Sequence, residues 1–144
     1  MDFYTLDPRL TYCLEWNNPD ILGLLNSKLL FQYLLSIGTF LRGGYIRFWT
    51  QYIQQIPIKF IDFSIASEKA KHDRIVSLVE QMLSLHKRLT DAKMASDKKT
   101  IEQQIKVTDH QIDHLVYELY ELTPEEIAIV EDEWKKSVLV TTPN

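Results

Sequence analysis

Carboxylates are missing from one long stretch of this chain. Between Ile21 and Ile61 there is no Asp or Glu, although Lys28, Arg42, Arg47 and Lys59 all fall there. Cysteine is nearly absent too. Cys13 stands alone, which excludes an internal disulfide and suits a reducing, cytoplasmic setting. A thiolate-based zinc site is excluded with it, because the four histidines lack finger spacing. The start, Met1-Asp2-Phe3-Tyr4, has no basic n-region, so no signal peptide is expected. The apolar run from Ile21 to Leu35 is interrupted by Asn26, Lys28 and Gln32 and is too short to span a bilayer. It reads as a core helix.

Chemistry-bearing motifs are also scarce. There is no glycine-rich phosphate loop and no dinucleotide fingerprint, and the serines and histidines form no nucleophile–base set. The carboxylates near Asp91 and Glu133 do not form the cluster that a magnesium-dependent nuclease needs. His110 and His114, four apart with Asp109 and Asp113 beside them, have the spacing of a metal pair but no third ligand. They fall beside an apolar seam, and the whole group is expected on a charged, solvated face. No catalytic residue and no metal ligand is assigned.

What is present divides the chain. Its net charge of −4 is unevenly placed: residues 1–60 hold five cations against four carboxylates, and residues 61–144 hold eleven against sixteen. At the centre of the acid-free stretch lies Leu41-Arg42-Gly43-Gly44-Tyr45-Ile46-Arg47-Phe48-Trp49-Thr50-Gln51-Tyr52. The glycines predict a turn, and Tyr45–Trp49 alternates like a strand. Arginines on such an element can meet phosphates or base edges, so the segment is a candidate polyanion-reading surface. Around it, Thr11–Trp16 reads as a short strand. Asn18-Pro19-Asp20 reads as the start of one helix running to about Ser36, stopping near Gly38. A helical turn is expected over Tyr52–Ile56, ended by Pro57.

After Pro57 the period changes. Ile75, Leu78, Met82, Leu85 and Leu89 recur every three or four residues. So do Ile101, Ile105, Thr108, Ile112, Leu115, Leu119 and Leu122, with Thr108 the one polar member. Two heptad seams joined by the short, aperiodic Lys93–Asp97 predict an antiparallel coiled-coil hairpin, with helices at about 64–92 and 97–122. Each helix would reach about 38 Å. Thr123-Pro124-Glu125-Glu126 is a capping box opening a third helix, 124–134, expected to fold onto the hairpin base through Ile127 and Val130. Residues 135–144 are expected to form a flexible tail. The fold class is therefore mainly α, with a small α+β N-terminal portion over residues 1–60 and a helical part over 61–134.

Several of these segments, taken in order, resemble a known family. Leu25-Asn26-Ser27-Lys28-Leu29-Leu30, the Arg42-Gly43-Gly44-Tyr45 turn, and Thr50-Gln51-Tyr52 leading to Gln55-Ile56-Pro57-Ile58 resemble the end of a target-recognition domain. The heptads followed by Asp113-His114-Leu115-Val116-Tyr117-Glu118-Leu119 and Thr123-Pro124-Glu125-Glu126-Ile127 resemble the helical tail behind it. The pattern is similar to the TaqI-like C-terminal specificity domain of adenine-N6 DNA methyltransferases and fused restriction–modification enzymes, and is related to type I specificity subunits. It covers most of residues 20–131.

The resemblance implies recognition of double-stranded DNA in the cytoplasm. Arg42, Gly43, Gly44, Tyr45, Arg47, Thr50, Gln51 and Lys28 would be the DNA-binding residues, and the hairpin would be a spacer or docking arm. It implies a methyltransferase domain or subunit as partner. S-adenosylmethionine, and magnesium where cleavage accompanies modification, would belong to that parent enzyme. Asn17-Asn18-Pro19-Asp20 is not the Asn-Pro-Pro-Tyr type motif that handles a flipped adenine, so methyl transfer is not assigned to this chain. The alternative from residues alone is a coiled-coil dimerisation or protein-interaction module.

Overall fold

A computed structural model describes residues 19–40, 46–47, 50–53, 55–59 and 61–141. Within these, helices α1 (Pro19–Asn26) and α2 (Lys28–Ile37) lead into a two-stranded antiparallel ladder, β1 (Thr39–Phe40) and β2 (Ile46–Arg47). A single turn of helix, α3 (Thr50–Ile53), follows. The long helices α4 (Ala66–Asp91) and α5 (Ala95–Leu119) form the hairpin, and α6 (Pro124–Thr141) is the last element among the described residues. The protein is mainly helical, with the expected helical hairpin as its largest feature. The expected strand over Thr11–Trp16 lies outside the described residues.

Most of the expected seam is buried, with Leu89, Ile105, Leu115 and Leu122 half-buried. Ile75, Leu78, Met82 and Leu85 on α4 are at most 3% exposed, and Ile101, Thr108, Ile112 and Leu119 on α5 at most 6%. Thr108, the polar member, donates its hydroxyl to the Gln104 carbonyl one turn back at 2.9 Å, which satisfies it inside the seam. Residues 92–94 make the turn between the helices.

The single helix expected from Pro19 to about Ser36 is in fact two. Ser27 adopts an extended conformation (φ −66°, ψ 148°) and its hydroxyl accepts from the Leu30 N–H, capping α2. The same hydroxyl donates to the Leu24 carbonyl at 2.6 Å, closing α1. One side chain thus serves both helix ends, which lets the chain bend while apolar faces of both helices meet the hairpin. α1 lies on α4 closely enough that a Cβ on Gly23 would sit 2.8 Å from Cγ2 of Val79 and 3.0 Å from that of Ile75.

The core formed there joins Leu24 and Leu25 of α1, Leu30 and Leu34 of α2, and Ile56 to Ile75, Leu78, Val79, Met82, Ile112, Val116 and Leu119 of the hairpin. It occupies the end of the hairpin away from its turn. Beyond Met82, Leu85 and Ile101 hold the two helices together outside that cluster.

The capping box forms as expected. The Thr123 hydroxyl accepts from the Glu126 N–H at 3.3 Å, and the Glu126 carboxylate accepts from the Thr123 N–H at 2.8 Å. Helix α6 then runs to Thr141, past the expected end at Trp134, so that residues 135–141 continue it. Its main partner is α2 rather than the hairpin. Phe31 and Trp134 pack edge to face with centroids 5.4 Å apart, and Gln32 Nε2 donates to Ser137 Oγ at 3.2 Å. Ile127 and Val130 are half-buried.

Candidate nucleic-acid interface

The β1–β2 ladder pairs Thr39 with Arg47 and Phe40 with Ile46. Two consecutive antiparallel strands form a hairpin, and its connection is the segment 41–45 that contains Arg42, Gly43, Gly44 and Tyr45. Those four candidate residues lie outside the described residues. Arg47 supplies backbone to the ladder, and Thr50 is the first residue of α3. Gln51 is exposed, and its carbonyl accepts from Gln55 Nε2 at 2.9 Å.

Tyrosine hydroxyls fasten this region. Thr39 Oγ1 and Tyr52 OH share a hydrogen bond that ties β1 to α3. Tyr33 OH donates to the Gln55 carbonyl at 3.0 Å, tying α2 to the residues after α3.

Two of the four cations in the acid-free stretch have internal partners. Lys28 Nζ lies 3.0 Å from Glu131 Oε2 and 3.6 Å from Asp113 Oδ2, with its side chain 15% exposed. Its main-chain N–H donates to Asp113 Oδ1 at 2.9 Å, so a carboxylate on α5 serves the first free amide of α2. The ammonium also stands 5.9 Å from the Trp134 ring centroid. Lys59 Nζ donates to the Leu119 carbonyl at 2.8 Å, at the negative end of α5. The residue named as a DNA contact at position 28 therefore faces the inside of the protein. Arg42 and Arg47 remain as the candidate readers.

The Lys28 cluster has unusual electrostatics. Asp113 is 1% exposed, and the expectation that it sits with Asp109, His110 and His114 on a solvated face is corrected: α2 covers it. Burial pushes its carboxyl up to about 7, against the Lys28 N–H that favours the ionised form, and the nearby charges of Asp109 and Glu131 add to the rise. Its Oδ2 accepts no hydrogen bond. Glu131 behaves oppositely. Burial opposes its ionisation, yet the Tyr117 hydroxyl at 2.8 Å and the Lys28 ammonium together hold it below the ordinary value. Burial, then the bond to Glu131, raises the Tyr117 phenol.

His110 and His114 are exposed as expected, with ring centroids 4.5 Å apart, edge to face. Among the described residues no group of three or more His, Cys, Asp or Glu side chains could hold a metal ion. No helix among them is long and apolar enough to cross a membrane.

The chain matches no family model, no curated protein and no solved structure.

Proposed function

We propose that this chain is the DNA sequence-recognition region of an adenine-specific DNA methyltransferase of the restriction–modification type, with the helical hairpin as its spacer and docking arm. The observation that carries this reading is the β1–β2 ladder. Its register brackets the Arg-Gly-Gly-Tyr segment as a hairpin connection, and its second strand ends at Arg47. Arginine pairs with guanine edges and phosphates, and glycine permits close approach of the backbone to a nucleic acid.

The internal pairing of Lys28 and Lys59 narrows the reading to Arg42, Arg47 and the polar residues beside them, Thr50 and Gln51. The two heptad seams fill each other within the chain, which suits a rigid arm that holds a reading element at a fixed distance from a methyltransferase domain or subunit. In this reading S-adenosylmethionine belongs to that partner, and this chain contributes no catalytic group.

Selection from a randomised duplex library tests the proposal. The chain should enrich a defined sequence, and Arg42→Ala with Arg47→Ala should abolish the enrichment while leaving the fold intact by circular dichroism. A library recovered unchanged, or a double variant that enriches the same sequence equally well, would overturn it.

A further inference from the structure

The hairpin is electrically polar along its length. Residues 84–106, around its turn, hold six cations against three carboxylates, whereas residues 107–141 hold two against nine. The six are Lys87, Arg88, Lys93, Lys98, Lys99 and Lys106; each is exposed, and among the described residues none forms an ion pair. The carboxylates of α6, by contrast, hold Lys135 and Lys136 at 3.7 and 2.7 Å. A protein of net charge −4 thus carries six exposed cations without an ion pair around the turn of its arm.

Part of that charge is ordered. Lys99, Gln103, Lys106, His110 and His114 follow one another along α5 at intervals of three or four residues, so they line a single face. All five are exposed, and this face lies opposite the buried seam of Ile101, Thr108 and Ile112. No carboxylate of α5 falls on it between Lys99 and His110, although the Glu131 charge on α6 stands near His110. Asp113, seven residues past Lys106, continues the same face but is buried against Lys28, while Glu102 and Asp109 fall on the neighbouring face. With a rise of about 1.5 Å per residue the stripe extends for about 22 Å. It consists of ammonium, amide and imidazole groups that can donate to anions.

We infer that this stripe of α5 is a second nucleic-acid contact, in which the hairpin lays Lys99 and Lys106 against the phosphate backbone of duplex DNA. Gln103 adds a neutral donor between the two ammonium groups. The contact is independent of sequence, because phosphates carry no base identity. It deepens the specificity reading, on which its biological sense rests, by giving the arm a task beyond spacing: it fixes the register of the duplex while the Arg42–Arg47 element reads it.

The test uses the full chain and a short duplex of arbitrary sequence, with affinity measured by fluorescence anisotropy across a salt series. The stripe is removed by Lys99→Ala with Lys106→Ala and reversed by Lys99→Glu with Lys106→Glu. Lys135→Glu with Lys136→Glu on α6 is the charge-matched control. Every phosphate that a variant no longer neutralises should lower the log–log salt slope by about 0.9, so the alanine pair should reduce it by about 2. The reversed pair should weaken binding at least about tenfold at moderate salt, and the control should leave the slope unchanged.

Equal weakening by the control would mean that net charge alone is responsible, and would overturn the assignment. So would an unchanged slope in the stripe variants, which would leave the face to an acidic protein, or a wild-type chain that binds no duplex at low salt. Failure of the specificity reading looks different: no sequence is enriched, yet arbitrary duplex is still bound and is released by the stripe variants.

Discussion

The main-chain N–H of Lys28 donates to Oδ1 of Asp113 at 2.9 Å, across 85 residues of sequence. A helix N-terminus leaves its first amides without partners, and here a carboxylate from another helix supplies one. The side chain of the same lysine reaches Asp113 again and Glu131 as well, so α2, α5 and α6 converge on one cluster. The small N-terminal portion is held to the arm by this joint as well as by apolar packing.

The joint should make stability depend on pH in an uncommon direction. Asp113 titrates near 7 when folded and near the ordinary aspartate value of 3.8 when unfolded. Between those values the folded state holds a proton that the unfolded chain does not, so stability rises as the pH falls. Glu131 acts with the opposite sign, but its folded value is held below 4.5, so its contribution is lost only at more acid pH. Urea unfolding should therefore show greater stability at pH 5.5 than at pH 7.5, by about 1–2 kcal/mol. Asp113→Asn should flatten the difference, and an unchanged pH profile in that variant would remove Asp113 as its source.

Replacing Lys28 separates a structural role from a DNA-reading one. Lys28→Met leaves Asp113 and Glu131 facing each other without their shared cation. The cost is expected at about 1–3 kcal/mol, limited by the ease with which Asp113 takes up a proton. The salt slope of DNA binding, measured below the lowered unfolding temperature, should not change. A slope that falls by the equivalent of one phosphate would return Lys28 to the interface.

The hairpin was legible from sequence because its signal is local. Ile75 through Leu89 and Ile101 through Leu122 carry the seam in their spacing alone. The capping box at Thr123 and Glu126 was legible for the same reason. The break at Ser27 was not, because apolar residues surround α1 and α2 on nearly every face and hide the change of direction. Asp113 was misplaced because its own helix turns it away from the seam, and only the arrival of Lys28, from far away in the chain, decides that it is buried. For the candidate interface, sequence singled out the Arg42–Gln51 element and could not tell that two neighbouring cations turn inward.

The core ends near Met82, whereas the paired helices continue to Asp91 and Ala95. Amides beyond that point are protected by a two-helix seam only, while those at the base are also covered by α1 and α2. Hydrogen exchange should therefore quicken from Leu78 toward the turn on α4 and from Ile112 toward the turn on α5. Leu85→Ala should loosen the turn end with little effect on the base, and Leu78→Ala should cost the whole fold about 2–5 kcal/mol. Uniform protection along both helices would contradict this division.

Helix α5 ends in a left-handed residue that is not glycine. Glu121 has φ 56°, and the bonds from Leu122 N to Tyr117 O at 3.0 Å and from Glu121 N to Glu118 O at 3.3 Å define a Schellman cap around it. Its carboxylate is 84% exposed and 3.9 Å from Lys59, so little stability goes with the side chain. Glu121→Gly should stabilise the protein by about 0.5–1 kcal/mol, read as a higher urea midpoint. A lower midpoint would show that the Lys59 pairing outweighs the backbone relief.

Gly23 gives the opposite case, a helical glycine that should resist improvement. Intrinsic propensity favours alanine there by about 1 kcal/mol. Yet the added Cβ would stand 2.8 Å from Val79 Cγ2 and 3.0 Å from Ile75 Cγ2, closer than carbon atoms pack. Both neighbours are β-branched, held in one rotamer by their own helix, and both are 0% exposed, so they cannot turn aside. Gly23→Ala should therefore destabilise by about 1–3 kcal/mol, because α1 must lift from α4. Val79→Ala opens the space that the new methyl needs. In the double variant the two penalties should fall short of their sum by about 1 kcal/mol in urea unfolding. Strict additivity would mean that α1 and α4 do not meet at Gly23.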